Sequence, residues 1–291
     1  MTEKPFDQRK WWIIGTAVVL PILFLCVGYW LAGPQAVREE KAVERSKEKE
    51  LAKGPALKVE VKSDWGWGGG GSTYIFPKKL TDGELDRLEI DYNKYNGFDG
   101  EPAFNRIAKH GGRRVGTACG TPVTEKSCSA VSRHKIIFTG NRADRVRIDR
   151  MRVRVISEAS APKGALIHLS PQGGGPPDFA FADLDSRSKV VLKADANGNP
   201  TNIPFTVAQN RWAEEKEDLV FYLAAATKRD VEVKWVLEVT VSYDGVKELI
   251  TVKGDEGKPF VTTGWNQKWN YGTNVRVNNN TGQFESPNDV T

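Results

Sequence analysis

Between Trp11 and Gly33 the chain reads WWIIGTAVVLPILFLCVGYWLAG, without one charged side chain. Wound as a helix at about 1.5 Å per residue, a run of this length crosses a hydrocarbon core of about 30 Å. Trp11, Trp12, Tyr29 and Trp30 mark its two ends, where amphipathic rings favour the headgroup level. Lys4, Arg9 and Lys10 precede the run and no charge follows it until Arg38, which places residues 1–10 in the cytoplasm and the bulk of the chain outside. A cleavable signal peptide has a shorter apolar region and a small-residue cleavage site, whereas this run is longer and is followed by Leu31-Ala32-Gly33-Pro34. Lipidation of Cys26 is disfavoured by the bulk of Leu23-Phe24-Leu25 before it. The reading is a single-pass protein of the cell membrane, with lipid as its first partner through residues 11–33.

Residues 34–54 are dense in Glu, Lys, Arg and Ala, with opposite charges such as Glu44 and Lys47 one turn apart, and predict a solvated helical stalk. Gly54 and Pro55 end it. Across the whole chain 42 Lys+Arg face 37 Asp+Glu. So small a positive excess, with no zinc-finger spacing and no RNP-like or basic-zipper run, argues against nucleic acid as a partner. Cys119 and Cys128 flank a short Gly/Thr/Pro/Ser-rich stretch and are expected to form a disulfide in an oxidising compartment.

Beyond the stalk the sequence alternates. Leu57, Val59 and Val61 interleave with Lys58, Glu60 and Lys62, the period of a half-buried strand. Thr81-Asp82-Gly83-Glu84 has capping-box spacing, and Leu85, Leu88 and Tyr92 then share a face, which predicts a helix over about 82–94. The longest pattern is Val231, Val233, Trp235, Leu237, Val239, Val241 and Tyr243, broken only by Val236 and followed by Asp244-Gly245, a type I′ hairpin sequence. Pairing Tyr243 with Val246 sets Val239 against Ile250 and Leu237 against Val252, and leaves only Glu248, opposite Val241, out of place. Shorter strand-like runs lie at 135–139, 146–156, 165–169, 190–194 and 219–225, separated by Gly/Pro/Asn turns.

The expected fold is mainly β: an antiparallel sandwich with immunoglobulin-like layers over 131–263, a small α+β part over 55–130, and a polar, flexible tail over 264–291. Phe138-Thr139-Gly140-Asn141-Arg142 leading into Val146-Arg147-Ile148, Phe181-Ala182-Asp183-Leu184-Asp185-Ser186 and Gly257-Lys258-Pro259-Phe260 resemble a group of actinobacterial single-pass membrane proteins of uncharacterised function. The resemblance implies an anchored extracytoplasmic sandwich and brings no catalytic residue.

The one notable charge feature is Arg142, Arg145, Arg147, Arg150, Arg152 and Arg154. They alternate with Val146 and Ile148 and then, after a parity shift near Asp149, with Met151, Val153 and Val155. A bulge there would gather the guanidinium groups of residues 145–154 on one exposed face, suited to anionic headgroups or wall polymers. The plainer account is a solvated face that also guards a sheet edge.

His110, His134 and His168 have no nearby carboxylate or cysteine in sequence, and neither Gly-x-Ser-x-Gly nor His-Glu-x-x-His occurs. Asp178, Asp183 and Asp185 cluster as a calcium loop would, but lack the EF-hand glycine and terminal glutamate, and are read as turn carboxylates. Trp265, Trp269 and Tyr271, or Trp65 and Trp67, would suit either sugar stacking or packing. No cofactor is implied. The leading expectation is a binding or interaction module without catalysis, whose partner is an envelope protein or an anionic wall polymer. Behind it stand an accessory subunit of an envelope assembly and an extracytoplasmic hydrolase.

Overall fold

The computed structural model describes residues 43, 54–63, 72–95, 106–119, 128–142, 145–169, 179–195, 200–206, 212–213, 217–265, 270–278 and 280–286. The expected membrane helix at 11–33, its interface aromatics and nearly all of the stalk lie outside these residues. No helix among the described residues is long and apolar enough to cross a membrane. Pro55–Thr291 forms one compact unit.

The chain is mainly β, and its local elements follow from local chemistry. Strand β1 (Leu57–Ser63) is the alternating run after the stalk. Helix α1 (Asp82–Tyr95) begins where the capping spacing puts it: Glu84 Oε2 accepts from the Thr81 backbone N–H at 2.7 Å and from its hydroxyl at 2.9 Å. Strand β12 (Val231–Tyr243) turns through Asp244 (φ 46°) and Gly245 (φ 75°) into β13 (Val246–Val252), two positive φ values in a row as a type I′ turn requires. The hairpin takes the expected register, with Tyr243 opposite Val246, Val239 opposite Ile250 and Leu237 opposite Val252.

Two sheets result. The smaller has five strands in the order β10 (Trp212–Ala213), β5 (Val146–Ser160), β12, β13, with β14 (Phe260–Thr263) sharing β12's far edge with β13. It is antiparallel throughout. The larger has eleven strands and is mixed. Its order is β16 (Phe284–Glu285), β15 (Thr273–Val277), β6 (Ala165–Leu169), β2 (Ser72–Phe76), β3 (Arg113–Cys119), β4 (Cys128–Gly140), β11 (Asp218–Thr227), β7 (Phe179–Asp183), β8 (Leu192–Ala194), β9 (Pro200–Pro204). Strand β1 lies beside β3 along β4, pairing with residues 134–140.

The main core gathers side chains from both sheets: Ile136, Phe138, Phe221 and Leu223 from the larger, Ile148, Met151, Val153, Trp235, Leu237 and Val239 from the smaller. A second core forms where Leu88 of α1 and Ile107 cover Tyr74, Phe76, Ile167 and Val277 of the larger sheet. Glu248, the odd residue on the hairpin's apolar side, has a definite use. Its carboxylate accepts from the Ala56 N–H and, at 3.1 Å, from the Tyr243 hydroxyl. Arg142 donates to Tyr243 Oη at 3.2 Å, lies 4.6 Å over that ring, and donates to the carbonyls of Asn141 and Pro55. The cluster fastens the point where the chain enters the fold.

Two expectations need correction. The larger sheet is not antiparallel: β7 runs parallel to β11, and β15 parallel to β6. Immunoglobulin-type sheets are antiparallel and smaller, and this strand order is not theirs. Residues 273–277 and 284–285, expected within a flexible tail, are strands that close one end of the larger sheet, with Val277 fully buried. The reason is pairing with distant partners: Thr273–Val277 completes a sheet edge whose other residues lie more than a hundred positions earlier.

Candidate functional site: a cationic sheet face

The arginine row is built by a bulge. Along β5 the pairing with β12 runs Arg150 to Thr240 and then Ile148 to Val241, so Asp149 is the extra residue at the position where the sequence changes parity. Without the bulge Ile148 and Met151, three positions apart, would fall on opposite faces. With it Val146, Ile148, Met151 and Val153 all enter the core, while Arg147, Arg150, Arg152 and Arg154 all emerge on the outer face. Arg145, just before the strand, is exposed as well. Arg142 does not belong to the row, being buried in the cluster at Pro55.

The row is not a sheet edge. Beyond β10, residues 189–191 run along β5: the Val153 N–H donates to the Lys189 carbonyl at 2.8 Å and the Val191 N–H to the Met151 carbonyl at 3.0 Å, around a bridge between Arg152 and Val190. Edge protection therefore does not explain the arginines.

Glu238 organises the row's far end. It lies on the outer face of β12, yet its side chain is only 6% exposed, and each carboxylate oxygen is taken by one arginine. Arg152 Nε donates to Oε2 at 2.7 Å and Arg154 Nε to Oε1 at 2.6 Å. Burial alone would raise the Glu238 pKa, but these two charge-assisted bonds outweigh it and hold the carboxyl below its usual range. Because both contacts use Nε, the Nη ends stay clear of the carboxylate, and the two arginine side chains remain 47% and 49% exposed. Arg147, at the other end, is paired with Asp149 at 2.6 Å.

Around Glu238 lies an open cavity of about 300 Å³ lined by Arg152, Arg154, Arg187, Ser188 and Lys189. Lys189 sits at φ 51°, a left-handed conformation uncommon outside glycine, while its carbonyl meets Val153 and its ammonium reaches the Leu184 carbonyl. Four cations surround one carboxylate. The sequence pointed to Arg152 and Arg154 but not to Glu238, Arg187 or Lys189. Glu238 is one more polar residue on an alternating strand, and the loop shows its role only through its pairing with β5.

Other candidates disperse. His134 lies against the stacked rings of Trp235 and Phe260 in the main core, neither ring nitrogen finding a partner, and complete burial lowers its pKa to about 3. His168 bonds the fully buried Thr73 hydroxyl at 2.9 Å and leans on Trp265; burial, then the Arg276 charge, lowers its pKa to about 4. His110 contacts Glu84 at 3.3 Å. Asp183 accepts the N–H groups of Asp185 and Ser186, and Asp185 accepts from Thr227, Lys228 and Arg229, so both serve turns. Among the described residues no group of three His, Cys, Asp or Glu could hold a metal ion.

Trp265 donates to the Gly116 carbonyl at 3.2 Å and packs with buried Tyr271, which favours the packing account over a sugar platform. Asp178, Trp65, Trp67 and Trp269 lie outside the described residues. Cys119 and Cys128 face each other as register partners closing the β3–β4 ladder; their side chains also lie outside what is described. No family model, curated protein or solved structure matches the chain.

Proposed function

We propose that the protein is a binding module without chemistry of its own, anchored through residues 11–33 and displayed outside the cytoplasmic membrane, with the outer face of β5 as its ligand surface. The observation that carries this reading is the Arg152–Glu238–Arg154 arrangement: a buried carboxylate spends both oxygens aligning two guanidinium groups that stay half open to solvent. A stabilising ion pair needs one arginine. Two, beside Arg187, Lys189 and Arg150, leave a preorganised positive surface, and arginine's planar fork suits carboxylate and phosphate groups.

The uncharged run 11–33 and its flanking aromatics support the anchor, and the core shared by two sheets supports a sandwich over 131–263. The resemblance to anchored actinobacterial proteins agrees with this display. Directly opposed residues of an antiparallel pair have Cα atoms about 4.5–5.5 Å apart, within the span a disulfide bridges. The register of Cys119 and Cys128 thus supports their pairing outside the cytoplasm. Photo-crosslinkers at residues 150 and 240, used in native membranes, should capture a partner or polymer through the β5 face. Efficient capture only from sites on the larger sheet would refute the assignment of this surface.

A further inference from the structure

Building on that reading of the outer face, we infer that the ligand is a linear polyanion bearing repeated phosphate groups, seated first in the cavity around Glu238 and extending along β5 towards Arg147. Alternate residues of an antiparallel strand recur at about 6.8 Å. Arg154, Arg152 and Arg150 therefore leave the strand on one face at that repeat, the first two turned onto Glu238, and the bulge at Asp149 keeps Arg147 on the same face. A single small anion would use one such group. A row at regular spacing suits a chain whose charges also repeat.

The cavity favours phosphate over carboxylate because its four cations, Arg152, Arg154, Arg187 and Lys189, exceed Glu238 by three charges. One carboxylate neutralises a third of that excess. The terminal phosphate of such a chain, seated in the cavity, brings up to two charges and three acceptor oxygens for the fork geometry of arginine, and each internal one a single charge and two, with the Ser188 hydroxyl as a further donor in the wall. The face has a strong end and a weak end: Asp149 already pairs with Arg147, whereas the one carboxylate lining the cavity, Glu238, is shared by two arginines, with Glu158 near enough to act on Lys189. Arg150 should contribute more than Arg147. Nucleic acid fits less well, because on the proposed reading this face is displayed outside the cytoplasmic membrane.

The test uses the full chain in detergent, titrated calorimetrically at about 50 mM salt, a concentration at which contacts of this kind are strong. Its probes are linear polyphosphate of several tens of units, inorganic phosphate and polyglutamate. Polyphosphate should bind at least a hundredfold more tightly than inorganic phosphate. The logarithm of its affinity should fall with that of salt at a slope near −3, about 0.7 for each of four phosphates contacted. R150Q/R187Q, which leaves the bonds to Glu238 in place, should weaken it at least tenfold, and R147Q less than threefold.

No binding of polyphosphate, or equal binding by wild type and R150Q/R187Q of unchanged melting temperature, would overturn the inference. Equal affinity for polyglutamate would also overturn the choice of phosphate while leaving an anion-binding face intact. The proposed surface itself fails on separate grounds, the crosslinking pattern described above.

Discussion

The two faces of the smaller sheet are made by the same strands and obey different physics. Inside, Ile148, Met151 and Val153 of β5 and Trp235, Leu237 and Val239 of β12 are essentially without solvent. Their register cannot slip by one residue without turning the whole set outward. Outside, Arg147, Arg150, Arg152 and Arg154 touch little beyond Asp149 and Glu238. The inner face determines that the sheet forms and in what register. Once it has done so, the outer side chains are free to answer to something other than stability, and the bulge lets both sets run unbroken along one strand.

Inserting one alanine between Met151 and Arg152 should break this division most severely. Val153 would turn to solvent and Arg152 and Arg154 into the core, at a cost of about 5 kcal/mol or more, read as loss of cooperative urea unfolding. A truncation confined to the inner face, Leu237→Ala, should cost about 3 kcal/mol in the same assay. Polyphosphate affinity should be unchanged at temperatures where the variant stays folded.

Acid should probe how dry the inner face is. His134, on β4 of the larger sheet, faces Trp235 and Phe260 with its folded pKa lowered to about 3 from an ordinary 6.5. Between these values the unfolded chain binds a proton that the folded chain refuses, so stability falls as pH drops, by about 1.4 kcal/mol per unit for one such group. His168 adds a similar slope down to about pH 4. Unfolding measured across this range should show the slope, and His134→Phe should remove roughly half of it above pH 4. Glu238 acts in a lower window: its depressed pKa contributes stability above the ordinary glutamate range that disappears only as pH falls through the folded value.

On the outer face the effects should be smaller. Arg152→Met with Arg154→Met leaves the buried Glu238 carboxylate without its cations, costing about 2 kcal/mol once the arginines' half exposure is discounted. Adding Glu238→Met should restore most of that loss while binding stays absent. Arg150→Gln alone should change stability by no more than about 0.5 kcal/mol. A large loss of stability there would mean that the two faces are not independent.

What was legible in the sequence was whatever neighbours specify. The β12–β13 register followed from one turn dipeptide and an alternating run, the start of α1 from a four-residue spacing, and the bulge from a change of parity at Asp149. The parallel joins of β7 to β11 and of β6 to β15 were hidden, because their partners lie tens to more than a hundred residues away and the strands are short. Thr273–Val277 was masked by its polar composition: only Val277 is deeply buried, and the strand is held by its ladder rather than by a hydrophobic stripe. At the candidate site the arginines announced themselves, while Glu238 gained meaning only once β5 and β12 were aligned.

The anchoring of Pro55 and Ala56 decides where the molecule can be divided. Strand β1 is not an appendage on a rim. It fills one flank of β4 from His134 to Gly140, and the two residues before it are held by Asn141, Arg142 and Glu248. A fragment starting at residue 54 keeps every one of these contacts. One starting ten residues later would open a seam through the middle of the larger sheet, and should be recovered as aggregate rather than as a smaller working part.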